Sequence, residues 1–485
     1  MSHQAATSTP PDVPPQPPQG PPRPPPGIPK ERAALMLQGP VSSALKLLFF
    51  PMLFGIVSLM LLNLVDTWYV SKMGTHPLAA MGFIFPVINL VGSSMIGISV
   101  GTTSVVSRAI GAGDHDRVRR LVTHALLLGV LVVLALTIAG LATIDPLFTL
   151  LGATPETLPL IHEYMSVWYF GVVFLVVPMI GLAAIRASGD ARTPAMVMTG
   201  AAVINLVLDP IFIFGFGPIP ALGLSGAAIA TVLARSLTFF VALRILTTKM
   251  HMLDLSRPRW SAVLESWRAV LTIGATAAVT NAIVPISIGI LTGIIADYGP
   301  VAVAAYGAGS RVDAFAQIVP MALSASMGPL IGQNWGARHY DRVAQALQIA
   351  IRCSFAWGLF SLLLLALCSG PIAGLFTAEP DVEAILQTYL RIAPLGHGFL
   401  GVMMLTGAAF NAIGKPLKAA QLTIFRAPIL LIVCCSIGGA LYGLTGLFVG
   451  MITADILVGL TAWWWTRTLR ASLAADAAAL SKVSS

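Results

Sequence analysis

Charge is scarce in this chain. Only 10 % of its 485 residues are Asp, Glu, Lys or Arg, well under half the share of an ordinary soluble domain. That scarcity excludes a solvated globular surface. The net charge of +8 is no nucleic-acid signal, because the basic residues sit in short loops between apolar runs. Cysteine is equally rare. The four present, Cys353, Cys368, Cys434 and Cys435, all fall in apolar stretches, which leaves no loop disulfide framework and no metal-ligand spacing. There is no Walker A sequence, no HExxH pair and no nucleophile elbow. The GLSG at 223–226 lacks the strand and further glycine of a dinucleotide fingerprint. The chain is therefore not read as an enzyme, and no cofactor is expected. Residues 1–30 are Pro-rich and lack the apolar core of a secretory signal, so the first long apolar run must direct membrane insertion.

Long apolar runs are abundant. The hydrophobic fraction is 56 % and the mean hydropathy +0.85. Runs long enough to cross a bilayer cover 44–71, 78–104, 121–144, 160–185, 195–216, 221–246, 268–294, 301–326, 345–376, 384–411, 418–440 and 441–466. They are continuous rather than alternating, which predicts helices and not a transmembrane barrel. The expected fold is an all-α integral membrane protein of twelve transmembrane helices. Arg and Lys gather in alternate loops, for example Arg117, Arg119 and Arg120, or Arg338 and Arg342. The intervening loops carry Asp145, Glu156, Asp297, Glu379 and Asp381. Positive-inside asymmetry then puts both termini in the cytoplasm.

The chain also repeats itself. Gly74, Ala79, Ala80 and Gly82 recur as Gly299, Ala304, Ala305 and Gly307, and Gly111, Asp116 and Arg117 recur as Gly336, Asp341 and Arg342, all shifted by 225 positions. GLSG at 223–226 returns as GLTG at 443–446. Two pseudo-symmetric six-helix bundles follow, 44–246 and 268–466, joined by a cytoplasmic linker over 247–267. A disordered cytoplasmic tail is expected over 1–43 and a second cytoplasmic tail over 467–485. Parallel repeats of this kind are a transporter architecture, with the site between or within the halves.

Asp66 and Asp209 are carboxylates inside apolar runs. A charge at that depth costs at least about 2.5 kcal/mol even on lenient insertion scales, so an ion or substrate site is the default reading. Both lie roughly 8–10 Å below the outer boundary at the helical rise. Asn205 shares the helix face of Asp209, one turn away, and an amide can bond a carboxylate in either protonation state. Pro210 removes a backbone donor next to it. Two carboxylates in a low-dielectric pocket suit a shared proton, with Na⁺ at Asp66 and Asp209 as the alternative. A secondary polar site is offered by Arg311, Asp313 and His397, of which His397 is expected to be a hydrogen-bonded core histidine. Asp455 is read as structural or cavity-lining.

Several stretches are similar to the multidrug and toxic compound extrusion (MATE) family. They are VDTWYVSKMG (65–74) with LAAMG (78–82), VSRAIGAGD (106–114), RASGDARTP (186–194), NLVLDPIFIFG (205–215), GLSGAAIAT (223–231), GPLIGQNWGARHYDRV (328–343) and FNAIGKP (410–416). The resemblance covers roughly residues 44–466. It implies a monomer in the bacterial inner membrane, exporting organic cations or amphiphilic drugs in exchange for H⁺ or Na⁺ by alternating access. In the branch that couples through its N-terminal half, Asp66, Asn205 and Asp209 match the cation-site positions, and Thr231 matches the Thr that ends GAAIAT. Leu62 stands where that branch often has a Tyr. The alternative reading is a flippase or exporter of a lipid-linked saccharide or other amphiphile of the same superfamily, for which a strongly basic cavity would be expected. Nucleic acid is excluded as a partner, and the bilayer is required.

Overall fold

Inside lipid a backbone must satisfy its own N–H and C=O groups, which a helix does without a partner. The computed structural model describes residues 27–484 apart from 28, 255 and 258. The Pro-rich residues 1–26 lie outside the described part. Ten helices are long and apolar enough to cross a membrane. They are Val41–Ser71, His76–Gly111, His115–Leu150, Leu158–Ala187, Arg192–Phe214, Gly223–Lys249, Trp260–Ala296, Tyr340–Leu367, Pro380–Ala412 and Pro416–Ala474. An eleventh span is the pair Pro300–Ala316 and Ile318–Gly336, bent by 41°. The longest helix is itself two spans, because it reverses at Tyr442 and Gly443. There Gly438 and Gly446 face each other so closely that a Cβ on either would stand 2.1 or 2.0 Å from the opposite carbonyl oxygen. The described residues thus hold twelve spans in two bundles of six, numbered first to twelfth below.

The duplication is visible in the backbone. Gly74 and Gly299 both take a left-handed conformation (φ 114° and 96°) in the loop after the first span of each half. Gly189 and Gly414 do so in the loop between the fourth and fifth spans of each half. Arg338 adopts φ 60° at the position equivalent to Gly113, which shows that the turn is imposed by the repeat even without a glycine.

The halves meet at the ends that carry the basic loops. A Cβ on Gly97 would lie 2.3 Å from the Gly274 carbonyl oxygen, on Gly111 2.0 Å from that of Gln333, and on Gly336 2.1 Å from that of Arg108. Small residues let the second span press onto the seventh and eighth. Gln333 Nε2 donates to the Ala187 carbonyl at 2.7 Å, and Ser104 Oγ donates to the Asn411 carbonyl at 2.5 Å. The basic-loop face is closed.

Part of the stretch 1–43, expected to be disordered, is helical. Lys30–Leu37 is a helix, and the first span begins at Val41. Met36 is wholly buried, Arg32 pairs with Asp190 at 2.9 Å, and Arg342 donates to the carbonyls of Gly39 and Met36 at 2.7 and 3.1 Å. This short helix therefore straddles both halves on the closed face. The seventh span likewise starts at Trp260, inside the expected linker, and the last helix runs on through Ser484.

Candidate functional site

The fifth span, Arg192–Phe214, carries Asn205 and Asp209 one turn apart on its protein-facing side. Asn205 is 4 % exposed and Asp209 not at all, and Asn205 Nδ2 donates to Asp209 Oδ1 at 3.0 Å. The first span packs against the fifth across small residues, Gly55 against Ala195, with Ser58 Oγ 3.1 Å from Thr199 Oγ1. That packing brings the Asp66 carboxyl into hydrogen-bonding contact with Asp209. Asp66 Oδ1 and Asp209 Oδ2 are buried and have no donor among the described residues. Carboxylate oxygens are acceptors only, so a contact between two of them needs a proton held between them or a bound cation. The helix runs through Pro210 without interruption. The proline leaves the Leu206 carbonyl without its usual donor.

Two further groups belong to this site and were passed over in the sequence. Tyr164 on the fourth span is buried, and its phenol lies within charge-interaction range of Asp66, Asp209 and Arg235. Arg235 on the sixth span is in turn within range of Asp66. Its guanidinium lies 5.7 Å from the centroid of the Trp168 ring, and its Nη1 has no hydrogen-bond partner among the described residues. A signal for Arg235 existed, since an arginine well inside an apolar run is a functional flag. Tyr164 and Trp168 gave none, because aromatic residues four apart read as core. Thr231, one turn before Arg235, is half-buried and makes no hydrogen bond to either carboxylate among the described residues. Leu62 is half-buried one turn before Asp66. The phenol near the pair comes from the fourth span instead.

The secondary polar residues separate. Asp313 accepts from the Tyr389 hydroxyl through Oδ2 and lies 3.2 Å from His397 Nε2 through Oδ1. His397 Nδ1 is 2.8 Å from Ser361 Oγ. Arg311 is exposed and takes no part in this network. Asp455 pairs with Arg426 at 2.7 Å.

Between the halves lies a cavity of about 310 Å³, lined among others by Thr103, Ser104, Arg186, Met403, Met404 and Asn411. Arg186 is the charged side chain in this lining. Neither Asp66 nor Asp209 reaches it, so a cation at the carboxylate pair and a cargo in the cavity would occupy different places.

The MatE family model matches residues 51–211 and 276–437, once in each half. A FAD transporter of Shewanella oneidensis is 35 % identical over 435 residues, covering 90 % of this chain and 96 % of the relative. The multidrug export protein MepA of Staphylococcus aureus is 24 % identical over 450 residues, covering 91 % and 97 %. Among solved structures, the MATE transporter VcmN of Vibrio cholerae in its bent form superposes with a TM-score of 0.84 at 31 % identity. That match covers 89 % of this chain and 98 % of VcmN.

Proposed function

Since the chain belongs to the MatE family of membrane transporters, and acts as a transporter and not an enzyme, we propose that it exports a flat amphiphilic organic molecule from the cytoplasm in exchange for protons. The observation that carries the coupling is the contact between Asp66 and Asp209, buried in the N-terminal half with an amide donor on one of them. A proton shared between the two carboxyls satisfies this contact with the residues present, and sodium is the second reading. In this reading the basic-loop face and both termini are cytoplasmic, and the closed interface there belongs to an outward-open state.

The cargo reading follows from the cavity. Arg186 gives its lining a positive charge, which favours a neutral or anionic aromatic molecule over the organic cation expected from the sequence. The similarity to a FAD transporter supports an anionic flavin dinucleotide as the first cargo to test. The organic cation remains the second reading. It is supported by the similarity to a multidrug exporter and by Met403 and Met404, whose thioether chains adapt to varied shapes. A single arginine is a poor match for a lipid-linked saccharide phosphate, so the flippase reading ranks below both.

Everted vesicles carrying the full chain, supplied with FAD or ethidium under a proton or a sodium gradient, separate these readings. The expected result is uptake of FAD under the proton gradient alone. Uptake driven only by sodium would overturn the coupling ion, and ethidium transport without FAD transport would restore the organic cation.

A further inference from the structure

Resting on the proton-exchange reading above, we propose that Asp313 and His397 form a second proton-binding centre, in the C-terminal half, that loads and releases one proton in each transport cycle. The geometry is that of a built site. Asp313 lies four residues before the bend of the eighth span at Gln317. One carboxyl oxygen accepts from Tyr389, and the other faces His397 Nε2 at 3.2 Å, while Ser361 holds His397 Nδ1 at 2.8 Å. His397 is 4 % exposed and the Asp313 side chain 22 %, so the pair is enclosed on one side and reachable on the other.

The charges around this pair decide its occupancy. Tyr306 packs edge-on against Tyr389 and lies in range of Asp313, Cys435, Arg426 and Asp455. The approach of the twelfth span to the tenth is permitted by Gly396, where a Cβ would stand 3.0 Å from Asp455 Oδ2. Arg426 and Asp455 form an ion pair at 2.7 Å and cancel each other. The partners of Asp313 among the described residues are then Tyr389 and His397, and the nearby Arg311 is exposed and forms no ion pair with it there. An uncompensated carboxylate at membrane depth is costly, and one proton shared by Asp313 Oδ1 and His397 Nε2 removes the imbalance. The N-terminal half shows the same arithmetic: two carboxylates, Asp66 and Asp209, one arginine, Arg235, and room for one proton. The signs at equivalent places are exchanged, since Arg235 and Asp455 stand 220 positions apart, the shift that relates GLSG to GLTG.

The helices are also broken at this cluster. The tenth span tightens over Ala393–Gly396 immediately before His397, and the eleventh widens over Phe425–Leu431 around Arg426. Such interruptions recur at functional sites and hinges. Proton uptake here adds H⁺ to the pair and release returns it, with no other bond made or broken.

Liposomes containing the purified full chain and the pH dye pyranine, with FAD and ethidium as alternative probes, give the ratio of protons to cargo. Asp313→Asn and His397→Gln are each expected to bring that ratio to about half the wild-type value and to flatten one limb of the pH profile, with cargo binding retained. His397→Gln carries the test if Asp313→Asn fails to insert, and Asp313→Glu should restore the ratio. A wild-type ratio and pH profile in both variants, with the wild type proton-coupled, would overturn the second centre and leave the proposed function standing. Absence of proton movement in the wild type would overturn both.

Discussion

The Asp66 carboxyl has two neighbours that answer its charge in opposite ways. Asp209, fully buried, opposes a second negative charge, and Arg235 favours it. In Arg235→Met, export driven by a proton gradient is expected to fall several-fold at equal insertion, and Arg235→Lys should return most of it. Unchanged export in the Met variant would remove Arg235 from the site. Asn205→Ala strips the donor from Asp209 Oδ1 at 3.0 Å. Leaving that oxygen unsatisfied should cost about 1–3 kcal/mol, read as a lower unfolding temperature in lipid nanodiscs. Asp66, Asn205 and Asp209 were legible in the sequence because a carboxylate in an apolar run is conspicuous and an amide one turn away shares its face. Tyr164 was hidden, since nothing in its own neighbourhood distinguishes it from packing. His397 was expected to be hydrogen-bonded, and it is, but its partner Asp313 lies on another helix, beyond any local pattern.

The spans themselves were readable in number and order, because the length and polarity of a membrane-crossing helix are set by the bilayer. The helices run on past the apolar runs, however, the seventh starting at Trp260 rather than 268 and the eighth ending at Gly336 rather than 326. The interruptions of the spans were less readable. The tightened and widened stretches over Val172–Leu175 and Val177–Gly181 depend on neighbouring helices and leave no simple local signature. The contact between the second and seventh spans rests on Gly97 and Gly274, an approach visible only once the helices are side by side. In Gly97→Val the new side chain would overlap the Gly274 carbonyl, with a Cβ contact of 2.3 Å before its methyls are counted. The closed basic-loop face should lose about 1–3 kcal/mol. Maleimide labelling of Ala187→Cys, wholly buried in the parent, should then rise in a background without native cysteines. Labelling equal to the parent would mean that the two spans tolerate separation without opening the face.

At the scale of the whole molecule, two equivalent halves can exchange access only by separating the face that is closed here. The helix Lys30–Leu37 bridges both halves, through Arg32 to Asp190 on one side and through its backbone to Asn334 and Arg342 on the other. Residues this close to a Pro-rich tail read as tail in the sequence, because the bonds that order them come from loops far away in the chain. Arg32→Glu should raise labelling of the same buried position, and pairing it with Asp190→Arg should reverse the effect. The account's central claim is that export runs on proton exchange at the Asp66 and Asp209 pair. Its most direct measurement is proton flux in pyranine-loaded liposomes as cargo moves, comparing the wild type with Asp66→Asn and Asp209→Asn at equal insertion. The account predicts cargo-dependent proton movement in the wild type and its loss in both variants. Proton movement at the wild-type rate in both would contradict it.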